Sequence, residues 1–78
     1  MDATTLKSLF GRRIRSIRKL RDLTQEELAE SSQLSAEYIS KLERGQASPS
    51  FEVIVQIANA LEVDPSELFN FSDLRTDT

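Results

Sequence analysis

The side chains with the widest choice of noncovalent chemistry in this 78-residue chain follow one another closely. Ser35, Ala36, Glu37, Ser40, Lys41 and Arg44 offer acceptors, donors and a bare methyl, while Ile39 and Leu42 are the apolar members of the same run. Covalent chemistry has no comparable grouping. The chain holds no His and no Cys, and its Ser, Lys and carboxylates place no nucleophile beside a base, so an enzyme is the weakest reading. Without Cys there is no thiolate metal site and no disulfide framework, and no metal or other cofactor is expected. What remains is recognition, by hydrogen bonds and charge offered from one outward face.

That face needs elements to hold it. In TQEELAESSQLSAEYISKLERG, Thr24 stands three residues before Glu27, the spacing of a capping box in which hydroxyl and carboxylate each satisfy a backbone amide. Leu28 and Ala29 give the helix that follows an inward side, and the small Ala29 lets a second helix pass close. Ser35 is a second N-cap, Ile39 and Leu42 repeat at three-residue spacing, and Gly45 ends the helix. Two short helices with a tight turn cannot bury their own stripes, so flanking helices are required. Leu6, Leu9, Phe10, Ile14, Ile17 and Leu20 recur at three- and four-residue intervals and predict an amphipathic first helix, capped by Thr4 or Thr5 and left at Asp22. Ser50 caps a fourth helix running to about Leu61 through Phe51, Ile54, Val55, Ile57 and Ala58, mostly core. Asp64, Pro65 and Glu67 supply a cap, a first-turn residue and a capping-box acid for a short fifth helix. The expectation is an all-α, five-helix domain over residues 1–71, with a polar, disordered C-terminal tail over 72–78.

A chain of this length has room for one modest core. No apolar run approaches a membrane span and the N-terminus lacks the order of a signal peptide, so a cytoplasmic protein with no membrane contact is expected. The net charge of −3 hides a polarity: residues 1–21 carry seven basic groups against Asp2 alone, whereas residues 22–78 carry three against twelve acids. Local Lys and Arg density, not the sum, decides whether phosphates are attracted. A basic helix is also what an acidic remainder needs for compensation, so this polarity alone does not select nucleic acid.

The segments LTQEELAESSQLS and YISKLERGQASPS together resemble the helix-turn-helix of the lambda-repressor-like (XRE) family of DNA-binding domains, and the likeness extends from about Phe10 to Leu68. It implies that the second helix of the pair, Ala36 to Arg44, enters the major groove of double-stranded DNA. Ser35, Ala36, Glu37, Ser40 and Lys41 are then the base-edge candidates: Lys41 can donate to guanine, Glu37 accept from cytosine and Ala36 touch a thymine methyl. Gln25, Tyr38, Arg44, Gln46 and Ser48 are the phosphate candidates, Tyr38 being divided between core and phosphate. The resemblance also implies a structural ion pair between Arg18 and Glu43. Two positions depart from the family, Asp22 and Gln33, each where Gly is usual. Gln33 either takes a strained left-handed conformation or belongs to a different turn.

Leu61, Val63, Leu68, Phe69 and Phe71 carry more apolar surface than a short fifth helix can hide, and in the family this end commonly forms a two-fold dimer. Folding of Phe69 and Phe71 onto the monomer core is the competing arrangement. The functional expectation is a repressor-like transcriptional regulator that binds a pseudo-palindromic operator as a homodimer, with no small-molecule effector. The alternative is an antitoxin or protein-interaction module whose helix-turn-helix engages a partner protein.

Overall fold

The computed structural model describes residues 1–75. Five α-helices, α1 (Ala3–Leu20), α2 (Gln25–Ser32), α3 (Ala36–Glu43), α4 (Phe51–Leu61) and α5 (Ser72–Arg75), are joined by short connections, with a 3-10 helix at Pro65–Phe69 between the last two. There is no strand among the described residues, and the expected all-α class and central helix-turn-helix are what forms.

Each short helix starts where its own sequence supplies a cap. Thr24 Oγ1 accepts from the Glu27 amide at 3.0 Å while Glu27 Oε1 accepts from the Thr24 amide at 2.8 Å, completing the capping box. Ser35 and Ser50 accept from the amides of Tyr38 and Val53. The cap of α1 differs from expectation: Asp2, not Thr4 or Thr5, accepts from the Thr5 amide at 2.8 Å. A carboxylate one turn earlier is the better acceptor, and its position holds its pKa below the ordinary aspartate value through that bond. Asp64 likewise accepts from the Ser66 amide, which lowers its pKa. Glu67, however, does not act as a capping-box acid. Its side chain is drawn to Arg13.

The turns use left-handed backbone at Asp22 (φ 57°), Gln33 (φ 61°), Glu62 (φ 58°) and Gly45 (φ 74°). Of the two arrangements expected at Gln33, the left-handed one forms, with the strain a non-glycine residue bears there. After Asp22, Gln33 and Glu62 the next amide closes on a carbonyl of the preceding helix, Leu23 on Arg18, Leu34 on Ala29 and Val63 on Ala58, so these three turns are tight without a glycine.

Phe10, Ile14 and Ile17 of α1, Leu28 and Ala29 of α2, Ile39 and Leu42 of α3, and Ile54, Ile57, Ala58 and Leu61 of α4 form one buried core, closed by Leu68. Burial of a side chain of this size stabilises by about 1.5–3 kcal/mol. Gly11 explains how α1 approaches α3 so closely. A Cβ there would overlap the Leu42 carbonyl oxygen and lie 2.9 Å from the Glu43 carbonyl carbon, so a residue that usually weakens a helix interior by about 1 kcal/mol is what the crossing requires.

Several apolar positions fall outside this core, contrary to the periodicity. Leu20 lies at the end of α1 beyond any facing helix and is 77% exposed; Phe51 and Val55, one turn apart on the flank of α4, are 82% and 48% exposed. The C-terminal segment departs in the opposite sense. Ser72–Arg75 forms a helical turn and Leu74 is buried, so the domain runs past Phe71 and the tail expected from residue 72 does not begin there. Residues 76–78 of that tail lie outside the described residues.

Candidate nucleic-acid interface

The outward face of α3 is held in place from behind. Ile39 and Leu42 are buried, and Glu43, the last residue of the helix, turns into the protein rather than toward solvent. Its carboxylate meets the Arg18 guanidinium in a fork, Nε to Oε2 at 2.6 Å and Nη2 to Oε1 at 3.0 Å, with both side chains less than a tenth exposed. The hydrogen bonds to Glu43 raise the Arg18 pKa above the usual arginine value despite burial. Arg18 Nη1 also donates to the Leu23 carbonyl at 2.8 Å, so one guanidinium ties α1 to the connection before α2 and to the end of α3. The implied ion pair is present.

Gln25 joins the same cluster. Its Nε2 donates to Glu43 Oε1 at 3.0 Å, which fixes the side chain at the N-terminus of α2 and leaves its Oε1 with no hydrogen bond among the described residues. The residue expected to reach a phosphate is thus already oriented by the buried pair.

On the outer side of α3, Glu37, Lys41 and Arg44 are exposed and Ser40 is half-buried. Lys41 Nζ lies 3.6 Å from Glu37 Oε1, one helical turn back. Such an exposed pair is worth only a few tenths of a kcal/mol and opens readily. Arg44 Nε donates to the Ser40 carbonyl at 3.3 Å, leaving the rest of its guanidinium to solvent. Ser35 is exposed but spends its acceptor capacity as the cap, and Ala36 and Tyr38 are partly buried against the core. Gln46 and Ser48 are exposed in the loop beyond Gly45, whose backbone rests on α1 at Ser8. Five groups are therefore brought to one surface, Glu37, Ser40, Lys41, Arg44 and, across the turn, Gln25, with the loop at its margin. Ser35 is exposed beside them, and Ala36 and Tyr38 are half-buried, Tyr38 in keeping with its expected division between core and surface.

The basic first helix divides in two. Arg13, Arg18 and Arg21 face acids: Arg13 Nε donates to the Glu67 carbonyl at 2.8 Å and Nη2 to its carboxylate at 3.0 Å, and Arg21 reaches Glu62 at 3.3 Å. Arg12, Arg15 and Lys19, spaced three and four apart on the exposed side, have no ion pair among the described residues. Nothing in a helix rich in arginine signals which ones turn inward, and the Arg13 clamp on the 3-10 helix was not foreseen.

The expected dimer residues are mostly internal. Leu61, Leu68 and Phe71 are buried within the single chain, because the 3-10 helix folds back across α1 and α4. Val63 is half-buried, and only Phe69, 42% exposed, stands at the surface, its ring centroid 5.0 Å from that of Phe10 and 6.3 Å from that of Phe71.

A short helix braced across its N-terminal neighbour, with a polar outer face and a cation-bearing end, is the geometry of a helix-turn-helix DNA-reading unit. The chain belongs to the Helix-turn-helix family HTH_3, of XRE type, whose pattern matches residues 14–68. It is 37% identical over 70 residues to the control protein C.BamHI of Bacillus amyloliquefaciens, covering 88% of this chain and 86% of that one. It is 41% identical over 58 residues to an immunity repressor protein of Bacillus phage phi105, of whose length the match spans 40%. Among solved structures, the restriction-modification controller protein C.AhdI from Aeromonas hydrophila superposes with a TM-score of 0.85 at 39% identity, over 88% of this chain and 100% of that one. The family is one of DNA-binding transcriptional regulators. No helix among the described residues is long and apolar enough to cross a membrane.

Proposed function

We propose that the chain is a sequence-specific regulator that binds a pseudo-palindromic operator as a homodimer, with α3 of each copy in the major groove. One observation carries this reading. Glu37, Ser40, Lys41 and Arg44 are presented together on a helix whose opposite side is fixed by the buried Arg18–Glu43 fork. In the groove, Lys41 exchanges Glu37 for a guanine edge, and the Glu37 carboxylate, once free, accepts from cytosine or repels a wrong base. Arg44, Gln46 and Ser48 lie on the flanking phosphates, and Gln25 adds its end of α2. Similarity to a controller protein and to a phage repressor supports regulation through an operator, and two copies one DNA turn apart place their helices about 34 Å from each other.

The test separates the two kinds of contact. Lys41→Ala changes preference at particular base pairs, whereas Arg44→Ala weakens binding to every duplex and lowers the slope of log affinity against log salt by roughly one unit. Binding to operators selected from a random pool, measured over a salt series, reads both effects. Equal losses on selected and random DNA for the two variants would refute this division of labour. Association with a second polypeptide and indifference to DNA would favour the protein-interaction reading instead.

A further inference from the structure

The first helix carries a row of cations for which the fold itself has no use. Arg12, Arg15 and Lys19 stand exposed along α1, and none has an ion pair among the described residues. Shortage of carboxylates is not the reason. Thirteen acids face ten basic groups in the chain, and Arg13, Arg18 and Arg21 each find one. Like charges three and four residues apart repel one another and weaken a helix, so the row destabilises the free protein and is relieved only when a polyanion lies along it.

The fold sets where that polyanion would lie. Ser8, Gly11, Arg15 and Arg18 recur at three- and four-residue intervals and so share one side of α1. That side is turned to the end of α3: Gly11 lies under the Leu42 and Glu43 carbonyls, Gly45 rests on Ser8, and Arg18 forks onto Glu43. Arg15 is the charged member of the series left in solvent. Gln25 is bonded to the same Glu43, and Arg44 follows it in sequence, so Arg15, Gln25 and Arg44 come from three parts of the chain to the rim of one buried fork. Arg12 and Lys19 extend the line by about a turn in each direction. At 1.5 Å per residue the row covers about 10 Å of helix, the axial length of about three phosphates of one DNA strand.

We infer that Arg12, Arg15 and Lys19 form a second row of phosphate contacts, holding the DNA backbone beside Gln25 and Arg44 and adding affinity without reading bases. The inference rests on the DNA-binding reading above and extends its surface to the first helix. Base preference stays with α3, while the grip on the sugar-phosphate backbone is shared with α1.

The experiment is duplex binding by the full chain over a salt series, since each cation that meets a phosphate adds about 0.9 to the slope of log affinity against log salt. Arg12→Gln, Arg15→Gln and Lys19→Gln alter exposed side chains without ion pairs, and circular dichroism melting establishes that each variant folds. Together the three substitutions lower the slope by about 2.7 units and the affinity at least about tenfold, equally on selected and random duplexes, and leave base preferences unchanged. Arg12→Lys with Arg15→Lys keeps the slope, because the charge remains. Arg21→Gln removes a cation that faces Glu62 instead and also leaves the slope where it is. A triple variant within about half a unit of the wild-type slope, a loss confined to selected duplexes, or an equal fall for Arg21→Gln overturns the row while operator binding stands. A chain that grips random DNA with no base preference removes the operator reading and leaves the slope result standing; one that ignores every duplex overturns both.

Discussion

Arg18→Met should destabilise the fold by about 3 kcal/mol, at the lower end of the ~3–5 kcal/mol for stranding one member of a buried pair. The geometry sets the figure. The fork to Glu43 is two-pronged, at 2.6 and 3.0 Å, and Arg18 also satisfies the Leu23 carbonyl. Its loss leaves a carboxylate 3% exposed with only the Gln25 amide beside it, and that remaining amide keeps the cost from the upper end. A domain of this size has a total stability of about 4–12 kcal/mol, so the loss is a large share of the whole. Each kcal/mol lowers the melting temperature by roughly 4–8 °C, which predicts a fall of at least about 12 °C by calorimetry. Urea unfolding of Arg18→Met, Glu43→Met and the double variant completes a cycle, and the double should be more stable than either single, since no charge is then left buried. A loss under about 1 kcal/mol would mean that the pair behaves like an exposed one and that α3 is held by packing alone.

Gly11→Ala should cost about 1–3 kcal/mol by overpacking, because its methyl meets backbone of α3 that cannot rotate away; an unchanged urea midpoint would show that the helices separate freely. The acid limb of stability should be shifted by Asp64→Asn. Asp64 has a folded pKa below its ordinary value, so its contribution is present above about pH 3.9 and is lost as pH falls through the folded value. Melting temperatures of wild type and variant should therefore converge at low pH, and parallel curves would show that the Ser66 bond has no charge dependence.

What could be read from the sequence was local or came with the resemblance. Thr24 with Glu27, Ser35 and Ser50 are caps whose partners lie three residues away, and side-chain chemistry alone identifies such positions. The Arg18–Glu43 contact spans 25 residues and followed only from likeness to a family. Arg13 shows the limit. Its sequence neighbours Arg12 and Arg15 are exposed, and what selects Arg13 for burial is a 3-10 helix that arrives more than 50 residues later. The same return of the chain covers Leu68 and Phe71, which a count of apolar residues near the C-terminus places on the surface. Phe51 differs for the reverse reason: its spacing from Ile54 fits the buried stripe of α4, but its ring stands exposed at the rim of a groove whose other wall is α1.

The missing Cβ at position 11 has a bearing on how a target would be chosen. With main chain resting on main chain, the tail of α3 has no compliant side chains between it and the long helix beneath, and the guanidinium fork removes rotation as well. A reading head so mounted does not tilt to suit its ligand. On the proposed reading, any mismatch of groove width or curvature must be absorbed by the duplex, and sequences that bend easily would gain affinity at base pairs no side chain touches.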